Sequence, residues 1–567
     1  MSSLMATMIL TNGKIMTVDR EFSTAEAVAF VGNRILEVGT STEVAKWAGP
    51  ATQIVDLRGR TAIPGIIDNH VHQIIAGLAT RGSKLQIGYL KSISAILETV
   101  HKRALHTPAG EWIVTTGMYR GILEEKRFPT RWDLDKVTPN HPVYLQQSGK
   151  NFILNSYAIR LAEVDRDTPD PTDPEGHIVR DENGEPTGHF IAGAGDMVRK
   201  RLWQHMGMRP QKWDFYVFPP EEKAEAIKAQ MSFYNRCGIV GVRDMGVSPE
   251  EIEAYQLVWA EKKMTTRTNL LLGLPARYMD TKDVVSSLRQ YFGPKQRIGD
   301  EWLRMGGLKI VVQNDGWWGL SREKLRALIL EANRQGWTMA IHMTTGGGDE
   351  AIDLCLDILE EADRERPLAG RRCSVEHAFQ KTDKASVERL KRLGFIVASN
   401  PLLTYHAAAR SFAMHQAMEK VKINKQGAST PWERAVREWA QYTKDWFDAG
   451  LTVTGGSDNP AVVYDVEHPL LGMYSAITGD TLAGVLAPTQ AITREQALRM
   501  YTINNAYGTF EEDIKGSIEK GKLADVVVLS EDIMTVPAET IKDIVVELTI
   551  VDGEIVYRRE GSPIAAE

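Results

Sequence analysis

The chain reads as an α/β protein: a (β/α)8 TIM barrel with an inserted α+β subdomain, plus a small β-sandwich formed by both termini. Three observations predict this. Eight apolar, β-branched runs end in polar residues, with amphipathic helical stretches between several of them. Both ends of the chain are instead dense in short strand patterns broken by N-G, R-G and D-G turns. No G-x-G-x-x-G or Walker loop follows the first run, as it would in the competing open doubly wound sheet.

Taken in order, the N-terminal strand patterns are Thr7–Leu10, Lys14–Val18, Ala25–Val31, Arg34–Gly39 and Gln53–Asp56. The C-terminal ones are Ala524–Leu529, Ile544–Val551 and Glu554–Tyr557. Pairing them makes residues 1–63 and 511–567 one composite β-sandwich; two independent extensions would leave more unpaired edges. Residues 64–510 are then the barrel. Its strands are expected at Ile63–His70, Ile239–Met245, Asn269–Leu274, Leu308–Gln313, Thr338–Met343, Cys373–His377, Phe395–Asn400 and Leu451–Ser457. Arg322–Gln335, Glu350–Arg364 and Lys384–Leu393 have the apolar period of helices between them.

Roughly 165 residues separate the first two strands, too many for a simple crossover. Residues 74–236 are therefore expected to form a subdomain over the barrel mouth. It should contain strands Trp112–Thr116 and Pro142–Gln147 and a hairpin, Gly176–Ile191, turning at Glu182-Asn183-Gly184. A second excursion, Pro401–Ala449, is helical in pattern and carries Tyr405, Phe412, Trp432, Trp439 and Trp446.

The bulk properties exclude several function classes. Of 567 residues, 43% are hydrophobic and 25% charged, which is ordinary for a globular protein. A net charge of −7 argues against a nucleic-acid surface. Cys237, Cys355 and Cys373 are far apart and form no C-x-x-C pair, which suits a reducing compartment. The N-terminus lacks a basic segment and a cleavage site, and no apolar run approaches a membrane span. A cytoplasmic protein is expected.

The chemistry concentrates at strand ends. The stretch A-I-P-G-I-I-D-N-H-V-H (62–72) closes the first run with His70 and His72, which face the same way if the strand continues through both. The fifth run ends at His342, the sixth at His377, and Asp458 follows the eighth, while the fourth carries Lys309. From Lys309 to His342 to His377 the steps are 33 and 35 residues, about one β/α unit each, so a barrel gathers these groups at one mouth. Singly, each has a plainer role: a histidine at a strand rim, Asp458 as a helix N-cap, Lys309 as a salt-bridged interior residue. Jointly they describe a metal site. Of the remaining histidines, His189 and His406 lie in the excursions, within reach of a substrate.

At these residues the chain resembles the metal-dependent amidohydrolase superfamily. More narrowly, it is similar to the YtcJ-like branch, which includes N-substituted formamide deformylases. The resemblance rests on P-G-I-I-D-N-H-V-H, P-T-R-W-D-L-D-K-V-T-P-N-H-P-V (129–143), N-S-Y-A-I (155–159), R-D-E-N-G-E-P-T-G (180–188), G-I-V-G-V-R-D (238–244) and G-S-I-E-K-G-K-L-A-D (516–525). It covers nearly the whole chain. It implies metal-ligand roles for His70, His72, His342, His377 and Asp458, and a homo-oligomer. It also puts Lys309 where two-metal members carry a carboxylated bridging lysine; a one-metal site with unmodified Lys309 is the alternative. Gly149-Lys150 stands where relatives commonly have a histidine, and Q-N-D-G-W-W-G (313–319) replaces a shorter run. Both departures bear on the substrate.

The expected reaction is hydrolysis of an amide-type C–N bond in a small, apolar or aromatic molecule. A divalent metal, Zn2+ for this donor set, supplies activated water, and Asp458 is the general base. Acceptors should fix the second ring nitrogens of the ligating histidines, but the sequence does not identify them. Substrate contacts are expected from Trp317, Trp318, Tyr119, Tyr405, His406 and His189; the two tryptophans could equally pack the insertion onto the barrel. The rival readings are an ester hydrolase, deaminase or decarboxylase on the same scaffold, a non-catalytic homologue, and a binding or transport module.

Overall fold

In the computed structural model the described residues are 5–564, apart from 89, 117, 119, 121–122, 148–150, 173–175, 209–217, 292, 294, 313–319, 344–348, 378–383, 409–429, 431–432, 434–439 and 461–467. Eight strands lie at the places the apolar runs predict: β1 (Ile66–Val71), β2 (Ile239–Val247), β3 (Arg267–Gly273), β4 (Leu303–Val312), β5 (Met339–Met343), β6 (Ser374–Glu376), β7 (Ile396–Ser399) and β8 (Val453–Gly455). They pair in sequence order and all in parallel. Helices Arg322–Arg334, Asp349–Glu365 and Lys384–Leu393 occupy crossovers and bury one apolar stripe each, as their spacing requires.

β4 begins five residues before the predicted start, because Gly306-Gly307 looks like a strand break. The neighbouring strands explain it. A Cβ on Gly306 would overlap Asn269 Oδ1 at 1.6 Å, and one on Gly307 would meet Thr338 O at 2.3 Å. The glycines mark a bulge where β3 and β5 press in, and the register of β3 on β4 shifts there.

Side chains and loops close the barrel where β8 meets β1. Asp458 N donates to His70 O at 2.8 Å, and His72 N to Asn459 O at 2.7 Å. From the helix Ile503–Gly508, Asn505 donates through Nδ2 to both Ile67 O and Gly455 O, and accepts from Gly455 N. This one buried amide satisfies backbone groups on both sides of the seam. Asn505→Ala is expected to destabilise the protein by about 3 kcal/mol, because it strands buried carbonyls and an N–H; a denaturant midpoint unchanged from wild type would show the seam is held elsewhere.

The chain ends form two sheets with one shared core. One has the order 34–39, 27–31, 8–11, 53–56; the other runs 554–558, 546–551, 526–529, 61–64, 14–16, 24–25. Leu10, Val28, Phe30 and Val55 pack against Val526, Val528, Leu548 and Ile550. The switch from this sheet to the barrel occurs at one residue. Pro64 still pairs with Val526, Gly65 N donates to Asp525 O, and Ile66 N donates to Gly238 O. A Cβ on Gly65 would come within 2.3 Å of Val240, so only glycine fits at the junction. Buried Arg267 on β3 ties the two parts together through Asp525 and Asp552.

The long first excursion leaves after helix Gln73–Thr80 and returns through helix Pro220–Arg236. These two helices pack together, with Gly77 against Ala226 O, and bury Ile74, Leu78, Ile227 and Met231 in the barrel core. Between them lies a six-stranded sheet in the order 176–180, 186–192, 151–154, 143–147, 113–116, 85–86. The predicted hairpin is its edge pair. Alternate residues fill two cores: Tyr144, Phe152 and Phe190 on one face, and Val143, Leu145 and Ile153 on the other. Its helix Gly193–His205 touches the loop after β3, where Asp196 pairs with Arg277 at 2.5 Å and accepts from Tyr278. Among the described residues of the second excursion, 401–408 and Thr443–Asp448 are helical. Phe412, Trp432 and Trp439 lie outside the described residues. No helix among the described residues is long and apolar enough to cross a membrane.

Candidate metal centre

Asp458 is the point on which the histidines converge. His70 Nε2 and His72 Nε2 each lie 3.3 Å from Asp458 Oδ1, and His377 Nε2 lies 4.0 Å from Oδ2. The His70 and His377 rings are 4.4 Å apart, and the His342 ring is 4.5 Å from that of His377. Lys309 Nζ is 3.3 Å from His70 Nε2. All six residues singled out for metal chemistry therefore meet at the C-terminal end of the barrel, although they span 388 positions of sequence from His70 to Asp458.

Local backbone conformation explains how this is possible. β1 stops at Val71, and His72 begins the next helix with φ −125° and ψ 75°. The two histidines thus reach one carboxylate from a strand end and a helix cap, rather than from one strand face as the alternation predicts. Asp458 (φ +58°) and His377 (φ +69°) both adopt the left-handed conformation. Such backbone costs energy for non-glycine residues and is often found where function demands it. At His377 it breaks strand alternation, so Glu376 and His377 both contact His70.

The surroundings hold these rings in place. His70 Nδ1 meets Glu376 Oε2 at 2.7 Å, and His377 Nδ1 meets Asn400 Oδ1 at 3.0 Å. Gln441 in turn accepts from Asn400 N and donates to Thr404. Asp68 accepts from His70 N and Ser457 N, both at 3.0 Å, and so clips the β8 loop to β1. Burial pushes its carboxyl up to about 6. Asp244 on β2, held by the Tyr255 hydroxyl, is likewise raised to about 6 by burial, against the charge of nearby His72. Burial, with the Lys309 and histidine charges, holds His70 and His377 well below the usual histidine range, which keeps both rings neutral. Burial also lowers Lys309 to about 8, despite the opposing pull of Glu376 and Asp458.

Glu376, Asn400, Asp68 and Asp244 were not singled out from sequence. A signal was present for three of them: Asp68 sits in P-G-I-I-D-N-H, Asp244 ends G-I-V-G-V-R-D and Glu376 directly precedes His377. Their partners lie on other strands, so their roles were not readable. Gly456 is another such position. A Cβ there would fall 2.8 Å from His70 N, 2.9 Å from His70 Cβ and 3.0 Å from Asp68 Oδ1. Gly456→Ala is expected to displace His70 and cut metal content, measured by elemental analysis of purified protein; full metal content would show that the loop moves instead.

The donor set fits a divalent ion. Ligand atoms of His70, His377 and Asp458 all lie within 4.8 Å of one another, and all three residues are buried. Nitrogen and oxygen donors about 2.0–2.2 Å from one tetrahedral ion stand roughly 3.3–3.6 Å apart, so small side-chain shifts suffice.

The substrate candidates fare differently. Tyr405 and His406 lie on the helical turn after β7, packed ring on ring at 5.1 Å. His189, on the inserted sheet, bonds Asn151 and meets the Phe128 ring edge to face. Trp317, Trp318 and Tyr119 lie outside the described residues. A pocket opens beside Lys309, walled by Leu274, Tyr278, Val311, Leu320 and Leu328.

A parallel barrel with a buried His/Asp cluster at its C-terminal end defines a metal-dependent hydrolase. The chain belongs to the amidohydrolase family, whose model matches residues 53–557, and it falls in the YtcJ-like branch of enzymes acting on non-peptide C–N bonds. It is 30% identical to N-substituted formamide deformylase of Arthrobacter pascens over 98% of this chain and 99% of that protein. It is 26% identical to the putative amidohydrolase YtcJ of Bacillus subtilis, over 96% and 98%. Among solved structures, a metal-dependent hydrolase from Pyrococcus horikoshii shares the fold with a TM-score of 0.68 at 21% identity, covering 94% of this chain and 99% of that one. Atrazine chlorohydrolase of Arthrobacter aurescens, solved with zinc, gives 0.52 at 15% identity, over 98% and 97%.

Proposed function

We propose that this enzyme hydrolyses the amide-type C–N bond of a small apolar or aromatic molecule, with N-substituted formamides the first class to test. The observation that carries the reading is the convergence of His70, His72 and His377 Nε2 on the Asp458 carboxylate. These residues and His342 would hold a divalent ion, which we take to be Zn2+. When bound, such an ion lowers the pKa of water towards about 7 and polarises a carbonyl. In this reading Asp458 is the general base, taking a proton from the attacking water and returning it to the leaving nitrogen. Buried Lys309, more readily uncharged than a surface lysine, is the residue assigned to a carboxylated bridge if two ions are held. The apolar walls of the pocket beside Lys309 support an apolar substrate, and Trp317, Trp318, Tyr119, Tyr405, His406 and His189 remain the candidates for lining the substrate path. In this enzyme residues 1–63 with 511–567 act as one β-sandwich unit, 64–510 as the barrel and 74–236 as its insertion. It also takes the working enzyme to be a cytoplasmic homo-oligomer, a state that light scattering on the purified protein measures.

A substrate panel scored separately for amine, ammonia, alcohol and CO2 tests the reaction. Release of amine with formate from N-substituted formamides is expected. Turnover confined to esters, to ammonia release or to CO2 release would move the enzyme to another reaction on the same scaffold. Removal of metal by a chelator is expected to abolish activity and lower the melting temperature, with Zn2+ restoring both. Unchanged activity and melting temperature after verified metal removal would sink the metal-dependent mechanism.

A further inference from the structure

We infer that Glu376 is a positioning residue that fixes the tautomer of His70, and that it works as a unit with Arg243 and Ser374 across the barrel interior. The inference rests on the metal-site reading above. Glu376 and His70 are both buried, and their contact at 2.7 Å is the shortest polar contact made by the His70 ring. A carboxylate can only accept here, so Nδ1 must carry the proton and Nε2 is left with a lone pair. That Nε2 is the atom facing Asp458 Oδ1 and Lys309 Nζ, each at 3.3 Å. An imidazole whose far nitrogen donates to a carboxylate is also a more basic ligand.

The carboxylate has its own support. Ser374, two residues earlier on the same face of β6, donates to Glu376 Oε1. Arg243, on β2, donates to Ser374 Oγ at 3.2 Å and lies 3.6 Å from Glu376 Oε1. Arg243 is 1% exposed, and among the described residues its Nε and Nη2 find no hydrogen-bond partner. Burying a guanidinium with so few bonds is costly unless its charge is needed. Here it neutralises the carboxylate that accepts from His70 Nδ1. This accounts for the arginine of the G-I-V-G-V-R-D stretch, which the hydrolytic reaction itself leaves without a role.

The alternative is that Arg243 and Glu376 form a structural ion pair with no bearing on the metal. Metal affinity of the whole enzyme separates the two, measured with Zn2+ by chelator competition on apo-protein. The double variant Glu376→Gln/Arg243→Met removes both charges together and so avoids a stranded buried ion. It is expected to melt near the wild-type apo temperature and to bind Zn2+ about 10- to 100-fold more weakly. Zn2+ affinity equal to wild type in that variant, whatever its stability, overturns the inference. If the double variant does not fold, Ser374→Ala, which loosens Glu376 without altering charge, is expected to weaken Zn2+ binding by a smaller factor, and unchanged affinity there overturns the inference equally. Failure of the wild-type protein itself to bind Zn2+ is a different result: it removes the metal-site reading, and the positioning role falls with it.

Discussion

Asp458→Asn is expected to fold, to keep its metal and to lose turnover by about 10²- to 10⁴-fold, with kcat falling and KM little changed. Asparagine is the right replacement for a backbone reason. Asp458 has φ +58°, and asparagine tolerates that left-handed conformation better than other side chains of similar size. Asp458→Ala would mix backbone strain with lost chemistry. The amide oxygen of asparagine still reaches the His70, His72 and His377 side of the site, and the backbone bond from residue 458 N to His70 O is untouched. What disappears is an acceptor basic enough to take a proton from water. Steady-state kinetics together with metal analysis read both halves of the expectation. Near-wild-type kcat would remove Asp458 from the general-base role.

His70→Ala is expected to lower bound metal by about tenfold or more and to abolish activity with it. The substitution does more than delete one donor. It leaves the Glu376 carboxylate facing a cavity and separates Lys309 from the ring it now adjoins. Within the cluster His70 touches Asp458, Lys309, Glu376 and the rings of His72 and His377. Metal content by elemental analysis is the direct readout. Content equal to wild type would take His70 out of the ligand set, whatever happened to activity.

Much of this could be read from the residues alone, and the parts that could not share a cause. Barrel strands announce themselves locally, since β2, β5 and β7 are short apolar, β-branched runs whose character does not depend on their neighbours. The histidines that cluster at the mouth were legible because a barrel brings strand ends together whatever lies between them, so spacing near one β/α unit suffices. Gly306 and Gly307 were misleading for the opposite reason. Their meaning lies in Asn269 and Thr338 on adjacent strands, and a sequence read along one strand sees only two flexible residues. His72 likewise has the H-x-H spacing of a strand pair, yet it caps the following helix.

The fold class, the order of the eight strands and the set of side chains that meet at the mouth are all written in the linear chain. Those follow from periodicity and from the polar residues that end each apolar run, which are properties of neighbouring positions along the chain. The tertiary structure alone decided who holds whom. It assigned Glu376 to His70, Asn400 to His377, Asp68 to the Ser457 amide, and Asn505 to the seam between β1 and β8. Each of these is a hydrogen bond a few ångströms long between residues tens to hundreds of positions apart. Hydrogen bonds fall off steeply with distance and angle, so which partners meet depends on backbone placement finer than any pattern along the chain can specify.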